Sequence, residues 1–234
     1  MKEMKLTPGH FLAPGYYMDY WLKLIEAKYP MDFIEKSVKL KQYRELWLGA
    51  VFGASLTKTT NQKHYVGLPQ DEPSDIVIRR YVPTTTPKGT PATNAQNMQI
   101  QITRCNLDAG ETLIGQIANK NKPAYKNTIL LVHLQGFGQS INFSKTIDYL
   151  KNLNTVYPME VIVIGRIDKS TKESYKPGTF IEHMVYPDVG YAEVNLTDTK
   201  AFFTFPPIIT TTQLGASREL KSFGKVLLLP PDIK

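Results

Sequence analysis

Residues 128–134 (TILLVHL) and 160–167 (EVIVIGRI) set apolar side chains at consecutive positions. A strand turns successive side chains to opposite faces, so a run without alternation needs cover on both sides. These two runs therefore predict central strands of a covered sheet. Between them, Ile141, Ile147, Leu150 and Leu153 recur at helical spacing, which predicts a helix over 140–153. A strand, helix and strand in this order make parallel neighbours with a right-handed crossover. Neither run approaches the roughly 20 apolar residues that span a bilayer, so no membrane partner is expected.

The same pattern extends upstream. MQIQITR at 98–104 alternates strictly and predicts a strand with Gln99, Gln101 and Thr103 on one face. Asp108 followed by Glu111 has the spacing of a capping box. It predicts a helix running through about Lys122, with Leu113, Ile114, Ile117 and Ala118 inward and Pro123 as its stop. Residues 64–67 (HYVG) and 73–82 (PSDIVIRRYV) predict two earlier strands, joined to the third without helices as an antiparallel meander. The intervening 84–97, rich in Thr, Pro and Asn with no apolar face, predicts an exposed loop.

Two helices precede the sheet. Tyr17, Tyr20, Trp21, Leu24 and Ile25 predict one over 14–29, ended by Pro30. Val38, Tyr43, Leu46, Trp47, Ala50, Val51 and Ala54 predict a second over about 32–56. Gly49 and Gly53 weaken this helix or mark close packing against a neighbour. The expected fold is α/β, with a mixed central sheet flanked by helices. The expected organisation is a core over 1–169, including the N-terminal helices, and a β-rich extension over 170–234 packed on it. That extension holds strand-like YAEVNL, AFFTF and KVLLL between proline pairs at 206–207 and 230–231.

At 234 residues and 42% hydrophobic content, the chain can bury a sizeable core. The start, MKEMKLTPGHF, has no long apolar stretch and does not read as a secretory signal. Cys105 is the single cysteine, so no intrachain disulfide forms. Together these predict a cytoplasmic protein. The formal net charge of +7 allows attraction to a polyanion, with nucleic acid as the usual candidate.

Three positions carry the resemblance to a known family. Glu45 lies on the early helix, within KQYRELWLGAVFGASL. Asp75 opens a strand after a proline-rich approach, in DEPSDIVI. The next strand supplies Gln101, Ile102 and Thr103. This order of elements, over roughly 35–167, resembles the core of the PD-(D/E)XK nuclease superfamily, the restriction-endonuclease-like fold. In that family the third position reads acid, apolar residue, lysine, so this chain departs from it at Gln101 and Thr103. The resemblance implies a DNA-acting protein with Mg²⁺-dependent phosphodiester hydrolysis. Asp75 would be the main metal ligand, Gln101 a weakened second ligand through its amide oxygen, and Glu45 an orienting carboxylate.

Magnesium takes hard oxygen ligands, polarises a phosphate and activates water. In some relatives the lysine has moved to the following helix, where this chain has Lys120 and Lys122. Lys120 is the first candidate cation, and it shares a helix face with Gln116. Either lysine equally suits a helix C-terminus, where the dipole favours positive charge. Asp71 and Glu72 are further candidate carboxylates. The alternative is an inactive nuclease-fold module that serves DNA binding or assembly, with the C-terminal third as a partner or homo-oligomer interface.

Other signals are weaker. Gly136-Phe137-Gly138 hints at a dinucleotide-binding turn, but Ile141 stands where the third glycine belongs. The four histidines lack metal-ligand spacing, and His133 reads as a core residue. Cys105 reads as a buried structural thiol. Phe11, Tyr16, Tyr17, Tyr20 and Trp21 could stack on bases, although their spacing suits packing.

Overall fold

The computed structural model describes residues 2–4, 7–70, 74–87, 89, 91–135, 141–167, 178–197, 208–214, 217–223 and 226–228. Side chains are described for these except at 2–4, 22, 24, 31, 32 and 208–228. The Gly136–Gly138 turn, Asp71, Glu72, the AFFTF segment and both proline pairs lie outside the described residues. The protein is α/β. It divides into two compact units, 1–70 with 76–98 and 199–234, and 71–75 with 99–198. The boundary expected between 169 and 170 falls inside the second unit.

In the first unit, β1 (Lys2–Met4) and β2 (His10–Leu12) precede α1 (Pro14–Tyr20). Pro14 opens α1 where its missing N–H costs nothing. The helix continues as a wider π-turn over Trp21–Glu26. Next come α2 (Met31–Lys36), a single 3₁₀ turn at Val38–Leu40 and α3 (Lys41–Thr60). The second predicted helix is therefore broken at Ser37, which is extended. The buried Arg44 guanidinium holds the break together, donating to the carbonyls of Ile34 and Ser37. Val38, assigned to the apolar stripe, is instead 84% exposed, because the break takes it off the helix. α3 outlasts its predicted end and stops where Asn61 turns left-handed, at φ 53°.

From Arg44 to Ser55 every residue of α3 is buried. Its two glycines explain how it packs. A Cβ on Gly49 would collide with the side chain of Ile76 and come within 2.9 Å of Val66. Val66 lies on β3 (His64–Gly67) and Ile76 on β4 (Ile76–Thr85). At Gly53 the nearest atom to such a Cβ is Pro14 Cγ at 3.3 Å. The sheet of this unit runs β11 (Ser217–Phe223), β10 (Ile208–Leu214), β2, β3, β4 and the first half of β5 (Pro91–Asn106). The neighbours from β11 to β4 are antiparallel. β1 pairs separately with β12 (Val226–Leu228).

The predicted loop over 84–97 is a correction. Thr84 and Thr85 end β4, and residues 91–97 are strand. The segment lacked an apolar face because backbone pairing forms it, not burial. The aromatic residues of the N-terminus pack inward. Tyr17 and Trp21 are fully buried, and the Trp21 ring lies 5.6 Å from that of Trp47.

In the second unit the latter half of β5 pairs parallel with β6 (Thr128–Gln135), and β6 parallel with β7 (Glu160–Arg166). β8 (Thr179–Tyr186) and β9 (Gly190–Asn195) complete the sheet as antiparallel neighbours. α4 (Leu113–Lys120) and α5 (Phe143–Lys151) make the crossovers. Leu113, Ile117 and Leu150 of these helices share one core with Leu130, Val132, Val161 and Val163.

The cap of α4 is Thr112, which accepts from Gly115 N at 3.1 Å. Asp108 instead sits in a 3₁₀ turn capped by Asn106, and Glu111 accepts from Asn106 N at 2.7 Å. The helix is shorter than predicted, with Ile114 half-buried and Ala118 exposed. Cys105 is a core thiol, its pKa pushed up to about 11 by burial and then by Glu111. Among the described residues no helix is long and apolar enough to cross a membrane.

Gly49→Ala should lower stability by about 1–3 kcal/mol, because its methyl has no room, despite the helix-propensity gain of roughly 1 kcal/mol. Gly53→Ala should cost less, and urea denaturation of both variants checks the contrast. A second expectation concerns His133, fully buried on β6. Burial, and then the charge of Arg104, push its pKa from 6.5 down to about 3. The unfolded chain binds this proton near 6.5 and the fold only near 3. Stability is therefore full above 6.5 and declines as pH falls through that window. His133→Leu should flatten this acid loss by about 2 kcal/mol between about pH 7 and pH 4.5, read from urea midpoints. His64 and His183, both lowered mainly by burial, leave a residual slope of the same sign.

Candidate functional site

Three residues on one face of β5 organise the site. A strand's period of two brings Gln99, Gln101 and Thr103 to the same side, and each has a side-chain partner. Ser74 Oγ donates to Gln99 Oε1. Gln101 Nε2 donates to the Asp75 carboxylate. Thr103 Oγ1 donates to Gln116 Oε1 at 3.2 Å. The row is a hydrogen-bonded seam rather than an open polar groove, and Gln101 is only 4% exposed.

Asp75 is held at both ends. Its backbone N donates to Ile100 O at 2.9 Å, and its Oδ2 accepts from Ile102 N at 2.7 Å. It thus takes up one backbone acceptor and one backbone donor on β5, as a paired strand residue would. The carboxylate also receives the Gln101 amide. That amide nitrogen donates further to Ile102 O at 3.3 Å. An ionised carboxylate only accepts, so it selects the NH₂ end of the amide and turns the amide oxygen away.

Asp75 and Gln101, the positions matched to the family's metal-holding pair, are therefore brought together. Their chemistry is that of a donor on an acceptor. A magnesium ion needs oxygen at both positions, and the Gln101 amide presents nitrogen to the carboxylate. Among the described residues no group of three or more His, Cys, Asp and Glu gathers to hold a metal ion. For the pair to hold the ion the Gln101 amide would have to turn its oxygen toward it.

The other two candidates each have a partner of their own. Lys120 Nζ stands 5.4 Å from the ring centroid of Tyr125, so its charge rests on an aromatic face at the end of α4. Gln116, which shares its helix face, is the residue that reaches β5. Glu45 belongs to the first unit. It is buried in α3, with Oε1 3.3 Å from Lys41 Nζ one turn earlier. Ser74 and the Ile102 backbone were not singled out from sequence. A hydroxyl directly before Asp75 was visible, but its partner 25 residues away was not.

Comparison of the chain with protein-family models, with curated proteins and with solved structures gives no match.

Asp75→Ala should destabilise the protein by about 2–4 kcal/mol. It strips a charged acceptor from two donors and leaves them in partly buried surroundings. Asp75→Asn, which keeps one acceptor oxygen, should lose less. Urea unfolding measures both. A carboxylate kept only to bind metal would give little loss, or a gain, on removal.

Proposed function

We propose that this chain is a DNA-binding module of the restriction-endonuclease-like type, whose former metal-holding pair now serves structure. The observation that carries this reading is the Gln101 amide donating to Asp75, at the two positions where the family places converging carboxylates. The order of strands and helices in the second unit agrees with it. So does the basic character of the chain, with its net charge of +7. DNA is the partner because phosphates release counterions to Lys and Arg whatever the base sequence.

A second reading keeps the enzyme. Asp75 and Gln101 do converge, and a rotated Gln101 amide would turn an oxygen to the site, as weak Mg²⁺-dependent hydrolysis requires. The substrate class is the same, so one experiment separates them.

Fluorescence anisotropy with a mixed-sequence duplex should show binding at low salt, falling at least about ten-fold between roughly 50 and 200 mM. No binding at low salt overturns both readings. Supercoiled plasmid with Mg²⁺ should stay uncut by the wild type. Cleavage that disappears in Asp75→Asn establishes the second reading instead. Activity that first emerges in Gln101→Glu with Thr103→Lys supports a nuclease ancestry for the seam.

A further inference from the structure

β4 and β5 extend further than their other neighbours require. β3 pairs with β4 only as far as Arg80, opposite His64. β6 pairs with β5 only from Gln99 onward. Residues 81–85 of β4 and 91–98 of β5 therefore form a two-stranded ribbon with no third strand among the described residues. At about 3.4 Å per residue, five residues make roughly 17 Å of ribbon.

Tyr81 packs edge-on against Tyr65 at the ribbon's base, and beyond it the ribbon turns to solvent. Residues 93–97 are exposed at five successive positions. Successive side chains point to opposite faces, so both faces of the ribbon are in solvent. Pro83 lies in the β4 part, where a missing N–H is tolerated only on an unpaired edge. Among the ribbon's side chains Thr84, Thr85, Thr93, Asn94, Gln96 and Asn97 can donate or accept hydrogen bonds.

Charge is one-sided. From Ile76 to Leu107 the chain holds no Asp or Glu. At the ribbon's base Arg79 Nε donates to Asn97 and lies 3.9 Å over the Phe11 ring. Arg80 Nε donates to Gln96 Oε1 at 2.7 Å, and its Nη1 to Gln62 Oε1 at 2.9 Å. An acid-free ribbon lined with amides and hydroxyls, with Arg79 and Arg80 at its base, matches the major groove of duplex DNA. That groove is about 12 Å wide and admits a two-stranded ribbon. Its base edges pair with Asn and Gln amides, and the thymine methyl meets Thr.

We infer that the ribbon formed by residues 81–85 and 91–98 enters the DNA major groove, with Asn94 and Gln96 facing base edges and Arg80 facing phosphate. This rests on the DNA-binding reading above and adds to it the element that makes contact. Asn94 and Gln96 lie two apart and share one face. Gln96 also holds the Arg80 guanidinium, so base and phosphate contacts are mechanically linked.

The test uses the full-length chain and duplex DNA. Asn94→Asp with Gln96→Glu keeps side-chain size at exposed positions but removes two amide donors and adds two charges. Affinity should fall at least about ten-fold by anisotropy at fixed salt, judged against Lys145→Gln with Lys151→Gln, which lowers net charge by the same amount from exposed sites on α5. Bound wild type should also shield guanine N7 from dimethyl sulfate, a major-groove signature that the ribbon variant loses. Circular dichroism confirms that both variants fold.

Equal losses in the two double variants, or binding without N7 protection, overturn the ribbon assignment and leave DNA binding standing. Absence of all DNA binding overturns the underlying reading as well. A ribbon variant that binds DNA normally but changes the oligomeric state in light scattering overturns the inference in favour of contact with a second copy.

Discussion

The Asp75 carboxylate replaces a strand. Its backbone N–H reaches Ile100 and its Oδ2 receives Ile102 N at 2.7 Å, so one residue closes two positions of β5 that would otherwise face outward unpaired. A buried backbone group left without a partner costs as much as a lost hydrogen bond, and the clamp removes that cost. Everything on this face of β5 follows from the clamp. The carboxylate's charge orients the Gln101 amide, and the strand period then sets Gln99 against Ser74 and Thr103 against Gln116.

Much of the second unit was legible from sequence because its signals are local and periodic. TILLVHL and EVIVIGRI could only be doubly covered strands, and β6 and β7 are buried parallel neighbours. Cys105 and His133 carried no catalytic signature and are core residues. The first unit misled where a tertiary bond overrode periodicity. Arg44 reads as one surface charge among several, yet its guanidinium caps the carbonyls of Ile34 and Ser37 and breaks the helix there. No spacing rule reveals an arginine that reaches back to a backbone oxygen.

The candidate site was half legible. That Asp75 and Gln101 meet followed from the order of the elements. That they meet through the amide nitrogen did not, since it depends on which end of a nearly symmetric group faces an ion. The position of the Lys120 charge was not legible for a related reason. The sequence pattern shows that a helix carries it, but a flexible side chain goes where its charge is accommodated, here beside the Tyr125 ring. The 84–97 segment shows the opposite blindness: a strand held by backbone pairing alone leaves no hydrophobic pattern to read.

The second unit is discontinuous in the chain, because residues 76–98 leave it between Asp75 and Gln99 and belong to the first. A contiguous fragment starting at Gln99 would include all of its helices and the parallel strands, yet would lack Asp75. Ile102 N and the Gln101 amide would lose their carboxylate acceptor and Gln99 its Ser74 partner, leaving only the Thr103–Gln116 bond of the seam. Dissecting such a protein into pieces at the apparent end of a ribbon would therefore remove its structural keystone. A chain that keeps 71–75 joined to 99–198, with a short linker in place of 76–98, is the form in which this half could be isolated.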